Sequence, residues 1–174
     1  IIEALEQHCG AHPNSNPLPL AVCVALSGGM DSMSLLHALL QLREVHRVSL
    51  DLSALHINHG IQSKSGCWEA FCAGFCRRHG VAFSALHLKL AVDAGSRVSE
   101  ESARTARYDA FARYLAADQL LLLGHHQDDQ LETLLLRLCR GAGLAGLSGM
   151  PVQRQLGQGI LLRPWLTLGR AEIA

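Results

Sequence analysis

Short apolar runs alternate with longer segments of helical periodicity, and this alternation limits the fold more than any other feature of the sequence. The run 20–26 is continuous, apolar and rich in small and β-branched residues, which is typical of a strand covered on both faces. The segment 31–44 follows it and predicts a helix buried against a sheet. Its apolar residues have the required spacing: Met33, Leu35, Leu36, Leu39, Leu40 and Leu42.

The strand and helix unit repeats along the chain. Further strands are predicted at 50–57, 81–90 and 119–123, and further helices at 66–79, 99–116 and 128–140. Such alternation implies right-handed crossovers and a mostly parallel sheet. The predicted fold is therefore α/β, with a parallel sheet flanked by helices on both faces.

The ends of the chain differ from its centre. Residues 1–9 predict a short amphipathic helix and 13–19 a linker, whereas 141–149 carry four glycines and 153–159 are turn-rich. A new helix is predicted to start in 169–174. We therefore expect residues 1–174 to be one domain of a longer protein.

Composition restricts the class of protein. Of the 174 residues, 49% are apolar, which is ample for a single core, and no apolar run approaches the roughly 20 residues of a membrane span. No basic leader is found at the start, so we expect a soluble, cytoplasmic protein. The net charge is zero. The basic footprint of a nucleic-acid binder is therefore missing from the whole-chain charge, although a local arginine face can replace it.

The cysteines show no CxxC pair, so the sequence predicts neither a zinc site nor a redox dithiol. We expect the cysteines to be reduced thiols packed in the core. This expectation includes positions 67, 72 and 76, which are the three cysteines closest together in the sequence. The six are Cys9, Cys23, Cys67, Cys72, Cys76 and Cys139.

A glycine-rich turn is the first chemical signal. The phrase SGGMDS, residues 27–32, stands between a predicted strand and a predicted helix. Two glycines allow a tight turn, and the amides that open the helix offer donors and a positive dipole end to a phosphate. Ser27 and Ser32 add hydroxyl groups. The alternative is an ordinary turn with Asp31 or Ser32 as N-cap. The phrase SGGMDS is not a Walker loop, because the pattern GxxxxGK[ST] is absent.

Carboxylates cluster where the last predicted helix begins. Asp129 and Glu132 are three residues apart and share a helix face, where they can hold Mg²⁺ or accept an ammonium group. Helix capping is the alternative for one or two of the acids. His125 and His126 precede these acids. Each can serve as an acid–base group, as a hydrogen-bond donor to phosphate or as a structural residue.

Positive charge comes from Arg104 and Arg107, which are one helical turn apart. They can serve a phosphate, although a solvated helix surface is the commoner use of such a pair. The phrases SGGMDS, HINHG (56–60) and GHHQDD (124–129) each begin at or just after a predicted strand end. Ligands of parallel sheets bind at those ends, so we expect the three phrases to converge.

The phrase SGGMDS resembles the PP-loop of the ATP pyrophosphatases, which is adenine nucleotide alpha-hydrolase-like and Rossmann-like in fold. Together with HINHG, ESARTARYDAF, the long block HHQDDQLETLLLRLCRGAGLAGLSGM and RPWLTLGRAEI, it resembles the tRNA(Ile)-lysidine synthetases. The resemblance implies ATP and Mg²⁺ as cofactors. It also implies adenylation of the wobble cytidine of tRNA(Ile), which has a CAU anticodon, followed by attack of free L-lysine.

The resemblance also implies roles for individual residues. Asp31, Asp129 and Glu132 would hold magnesium, with the lysine ammonium as the alternative for Asp129 and Glu132. Arg104 or Arg107 would balance charge at the α-phosphate. The nucleotide would be bound by Ala25, Leu26, Ser27, Gly28, Gly29, Met30, Asp31, Ser32, His56, Asn58, His59, Gly124, His125 and His126.

Further expectations concern partners and departures from the family pattern. The resemblance implies further domains that help to bind the tRNA. We expect no association with a membrane, and the sequence does not decide whether the protein forms a homodimer. Gln62 stands where relatives often carry a basic residue. Two alternatives remain: a tRNA-thiolating enzyme, which the missing CxxC disfavours, and a nucleotide-sensing module without turnover, which the clustered carboxylates disfavour.

Overall fold

The computed structural model describes residues 1–6, 19–46, 48–58, 65–88, 99–141 and 148–173. The predicted alternation of strands and helices is confirmed. The predictions for 7–9, 13–18 and 89–90 lie outside the described residues. The elements are α1 (Ile2–Glu6), β1 (Leu20–Leu26), α2 (Met30–Glu44), β2 (Leu50–Asn58), α3 (Ser65–Arg78), β3 (Ala82–His87), α4 (Glu100–Tyr114), β4 (Leu120–Leu122), α5 (Gln127–Cys139), β5 (Gln153–Leu156), β6 (Gly159–Leu162) and α6 (Arg170–Ile173).

The strands form one six-stranded sheet in the order β3-β2-β1-β4-β6-β5. All neighbouring pairs are parallel except β5 and β6, which are antiparallel. The chain moves outward from β1 through β2 to β3 and then returns to the other side of β1 as β4. The boundary between β1 and β4 is therefore a topological switch point, where open α/β sheets bind their ligands.

The sheet separates two apolar cores, which confirms helices on both faces. Alternate residues of β1 point to opposite sides. Val22 and Val24 pack in the core that contains the α2 leucines Leu35 and Leu39. Cys23 packs in the other core, with Phe111 of α4. Strand β1 is thus buried on both faces, as its continuous apolar run predicts.

The C-terminal hairpin is a correction to the sequence prediction. Residues 153–159 are not simply turn-rich, because Gln153–Leu156 and Gly159–Leu162 pair as antiparallel strands. The first three residues of β5 are polar and exposed at the sheet edge, so they lack the apolar pattern of a strand. The turn uses Gly157 at φ +60°, where a Cβ would meet the Ala112 carbonyl.

The cysteine prediction is right for part of the set. Cys23, Cys72 and Cys76 are buried. Cys67 and Cys139 are exposed, so their assignment to the core is wrong. Cys67 lies five and nine residues before the two buried thiols of α3, which turns it to the opposite helix face.

Within the described residues, the longest helices are too short and too polar to cross a lipid bilayer.

Candidate active site

A cavity of about 470 Å³ opens at the carboxyl ends of β1 and β4. Residues from all three polar phrases line it, which confirms their predicted convergence. The lining comprises Ala25, Leu26, Ser27, Asp31, Ser32, Leu55, His56, Ile57, Asn58, Trp68, Arg107, Tyr108, Phe111, Leu123, Gly124, His125 and Asp129. Gly124 makes the approach possible, because a Cβ there would lie 3.0 Å from the backbone carbonyl of Asp31.

The turn after β1 is held in shape by its own hydrogen bonds. The Ser32 hydroxyl accepts from the Ser27 amide at 3.2 Å and donates to the Gly29 carbonyl at 3.1 Å. The Ser27 hydroxyl accepts from the Gly29 amide at 3.1 Å. Gly28, at φ +85°, provides the left-handed residue that closes the turn. These hydrogen bonds within the turn therefore define its shape.

Helix α2 begins directly at this turn. Its N-cap is Gly29, which has no side chain to cap the first amides, so the alternative of Asp31 or Ser32 as N-cap is wrong. The opening amides and the positive dipole end are therefore left to bind an anion. With Ser27 beside them, these groups can bind a phosphate.

Two carboxylates from distant parts of the chain approach one histidine. Asp31 Oδ1 lies 3.8 Å and Asp129 Oδ2 3.6 Å from Nε2 of the buried His126. Asp129 also accepts a hydrogen bond from the His126 amide at 2.9 Å, which caps α5. Asp129 therefore both caps the helix and lines the cavity. Asp31 Oδ1 is buried without a hydrogen-bond partner in the described structure, although Arg170 Nε lies 3.6 Å away.

These acids fit a magnesium ion bound together with a nucleotide. Mg²⁺ is usually held by one or two carboxylates, with water and substrate phosphates completing its octahedron. Asp31 and Asp129 supply such a pair, and Asp31 Oδ1 makes no hydrogen bond in the described structure that a metal ion would have to replace. A complete protein cage is not provided, since no three His, Cys, Asp or Glu of the described segments form a metal-holding group. Glu132 is exposed and does not line the cavity.

His125 lines the cavity together with Asp129 and Arg107. Its Nδ1 accepts a hydrogen bond from Arg163 Nε at 3.3 Å. Burial, and then the charge of Arg163, lower the pKa of His125 to about 4. The ring is therefore neutral near pH 7.

The lowered pKa of His125 predicts acid sensitivity of the fold. The unfolded chain, with an ordinary pKa near 6.5, binds more protons between pH 6.5 and 4. The stabilising contribution is thus complete above pH 6.5 and is lost as the pH falls toward 4. By pH 5 we expect it to fall by about 2 kcal/mol. Urea unfolding at pH 7 and pH 5 of the wild type and His125→Gln should show this loss in the wild type alone. Equal pH dependence in both proteins would contradict the assignment.

The two predicted arginines are placed differently. Arg107 lines the cavity, and burial lowers the pKa of its guanidinium. Arg104 is exposed, with its guanidinium 5.3 Å from the Tyr108 ring centroid. Of the pair, Arg107 is therefore in position to meet a phosphate.

Six of the predicted residues do not line the cavity: Gly28, Gly29, Met30, Arg104, His126 and Glu132. His59 lies outside the described residues. The sequence did not predict five of the lining residues: Leu55, Trp68, Tyr108, Phe111 and Leu123. Leu55 directly precedes the predicted phrase HIN (56–58) on β2. Trp68 and Tyr108 have no signal of their own, because an aromatic residue on an amphipathic helix normally indicates core packing.

The chain is similar in sequence to curated proteins. Over 167 residues the chain is 47% identical to the tRNA(Ile)-lysidine synthase of Ralstonia nicotianae, covering 95% of this chain and 36% of that one. It is 48% identical to the Pseudomonas aeruginosa protein of the same name, over 87% of this chain and 33% of that one. The chain thus spans about a third of these curated relatives.

A solved structure shares the fold. It is the U34-tRNA thiolase NcsA from Methanococcus maripaludis with its [4Fe-4S] cluster, at a TM-score of 0.70 and 18% identity, covering 99% of this chain and 60% of that one. At this identity the likeness concerns the fold alone. The family described as the PP-loop domain matches residues 7–174. This match covers nearly the whole sequence and includes the loop and the acids of the cavity, so the chain belongs to the PP-loop domain family.

Proposed function

We propose that this chain is the ATP-binding catalytic core of a tRNA(Ile)-lysidine synthetase. One observation carries the proposal: Ser27 and Ser32 of the glycine-rich turn and the acid pair of Asp31 and Asp129 line one cavity at the switch point of the sheet. A phosphate site next to paired carboxylates is what nucleotidyl transfer requires. The similarity to curated tRNA(Ile)-lysidine synthases supports the wobble cytidine of tRNA(Ile) as the proposed acceptor.

The proposed reaction has two steps. In the first, the carbonyl oxygen at carbon 2 of the wobble cytidine attacks the α-phosphorus of ATP. The bond to the bridging oxygen of the β-phosphate breaks, and pyrophosphate leaves. In the second, the ε-amine of lysine attacks carbon 2, the bond from carbon 2 to oxygen breaks, AMP leaves, and the amine loses a proton to solvent. Activation thus converts a poor leaving group into AMP.

The residues of the cavity divide these tasks. The α2 amides and Ser27 bind the phosphates that leave as pyrophosphate. Arg107 balances the charge that develops at the α-phosphate. Bound magnesium would supply further charge neutralisation there, held by Asp31 and Asp129. Arg104 and Glu132 act, in this proposal, from outside the cavity wall, where Glu132 is available to the lysine ammonium.

The partners follow from the reaction. The proposed substrates are ATP, free L-lysine and tRNA(Ile) with a CAU anticodon, and the proposed location is the cytoplasm, where tRNA and lysine occur together. The curated relatives are about three times as long as this chain. We therefore propose that regions outside the PP-loop domain seat the tRNA, and activity is to be assayed with the full-length protein.

The test measures both products and the modified base. Protein, ATP, Mg²⁺, labelled lysine and tRNA(Ile) are mixed, and AMP, pyrophosphate and lysine incorporation are followed, with tRNA(Met) as the matched control because it shares the anticodon. We expect stoichiometric AMP, pyrophosphate and incorporated lysine with tRNA(Ile) only. ATP binding without turnover would favour a nucleotide-sensing module and overturn the proposal.

The alternative function, thiolation of tRNA by an enzyme of the same fold, can be tested through the cysteines. The exposed thiols, Cys67 and Cys139, are the accessible sulfurs among the described cysteines. The double variant Cys67→Ser, Cys139→Ser should keep lysine incorporation. Incorporation of sulfur instead of lysine into the tRNA, abolished in this variant, would replace the proposed function with thiolation.

A further inference from the structure

A buried arginine stands behind the cavity wall. Arg163 is only 2% exposed, and all three of its guanidinium nitrogens donate hydrogen bonds. The acceptors are His125 Nδ1 at 3.3 Å, the Pro151 carbonyl at 2.8 Å and the Tyr108 hydroxyl at 3.2 Å. No carboxylate in the described parts of the chain forms an ion pair with it. A buried cation with neutral partners is costly, so its contacts need an explanation.

The contact with His125 fixes the position of a proton. A guanidinium has donors and no acceptor, so the imidazole nitrogen that faces it must carry a lone pair. The single proton of the neutral ring is therefore on Nε2. The ring lines the cavity, and no residue of the described structure hydrogen-bonds Nε2. This N–H is available to a ligand.

The surrounding charges act in the same direction. Arg163, Arg104 and Arg107 disfavour a second proton on His125, and Asp129 alone favours it. A neutral ring with one fixed donor differs from a histidine that shuttles protons. It resembles an amide side chain, with an acceptor on one edge and a donor on the other.

We propose that Arg163 is a positioning residue: through Nδ1 it fixes His125 as the tautomer protonated at Nε2, which donates a hydrogen bond to a phosphoryl oxygen of ATP. This inference rests on the proposed function, because it needs ATP in the cavity. A donor that is oriented before the reaction stabilises charge developing on that oxygen without reorganisation. No proton is transferred by His125.

The first test observes the tautomer. In the full-length protein labelled with ¹⁵N-histidine, the two ring nitrogens of His125 are distinguished by NMR, with His125→Gln identifying the signal. We expect protonated Nε2 in the wild type, and a mixture of tautomers in Arg163→Met. Arg154→Gln is the matched control, because Arg154 stacks on Tyr108 at 4.8 Å and has no bond to His125. A proton on Nδ1 in the wild type would overturn the proposal.

The second test separates positioning from mere packing. Arg163→Met should lower kcat for AMP formation about tenfold or more with little change in KM for ATP. In a His125→Ala background the same substitution should have no further effect on kcat, because the two residues act through one hydrogen bond. Equal losses of kcat in both backgrounds would show that Arg163 only supports the fold.

A third comparison decides the matter even if Arg163→Met does not fold. Glutamine at position 125 can accept from Arg163 and donate into the cavity, so His125→Gln should keep kcat within about threefold of wild type. His125→Ala should lose about tenfold or more. Equal losses in both variants would overturn the proposal. A wild type that forms no lysidine, yet shows protonated Nε2, would refute the proposed function and leave the tautomer assignment standing.

Discussion

Asp129→Asn should reduce lysine incorporation by about a thousandfold while leaving the unfolding midpoint nearly unchanged. Asp129 has two functions that this substitution separates. Its Oδ2 accepts the His126 amide at 2.9 Å and closes the N-terminus of α5, and its charge faces the phosphate loop. Asparagine keeps an acceptor oxygen for the cap but has no charge for magnesium or an ammonium group. Activity is measured as AMP and lysidine formation, and stability by urea unfolding.

Two control variants complete the comparison. Asp128→Asn removes an acid from the same helical turn, but Asp128 is exposed and does not line the cavity, so activity should stay within about twofold of wild type. Asp129→Ala removes both the cap and the charge, and should lower the unfolding free energy by about 1 kcal/mol in addition to abolishing turnover. Near-normal incorporation in Asp129→Asn would refute the proposed role of the carboxylate.

The central strands of the fold are predictable from the sequence because they are buried on both faces. In β1 every residue from Val22 to Val24 is fully buried, so the run is apolar without interruption. The hairpin is harder to predict. Strand β5 lies at the sheet edge, with Gln153, Arg154 and Gln155 exposed, and a strand that buries one residue in four leaves no period-2 pattern. Its existence depends on tertiary pairing with β6.

The site divides in a similar way. The phosphate turn is predictable because local chemistry determines it: glycines, serines and a helix start occur within six residues. Asp129 could be placed opposite Asp31 because the ends of parallel strands share an edge. Arg163 could not be assigned, since its role comes from contacts with His125 and Tyr108, which are 38 and 55 residues away in sequence. The three-residue spacing predicts that Glu132 shares a helix face with Asp129, but Asp129 lines the cavity and Glu132 does not. Helical spacing alone therefore does not show which acid lines the cavity.

Gly28→Ala should weaken ATP binding by about tenfold or more, since a left-handed backbone costs an alanine about 1–2 kcal/mol. Gly28 has φ +85°, and a Cβ there would lie 2.8 Å from Trp68 Cε3. Either the turn changes its backbone angles or Trp68 moves. The first breaks the hydrogen bonds that join Ser27 to Gly29 and Ser32 across Gly28, and the second displaces part of the cavity lining. The dissociation constant for ATP is measured by calorimetry.

Gly80→Ala is the matched control for this variant. Gly80 also has a positive φ, of +60°, but a Cβ added there would meet no atom within 4 Å, and the residue is remote from the cavity lining. It should lose about 1 kcal/mol of stability and bind ATP normally. If Gly28→Ala bound ATP as tightly as Gly80→Ala, the shape of the turn could not be what holds the phosphates, and the assignment of the loop would fail.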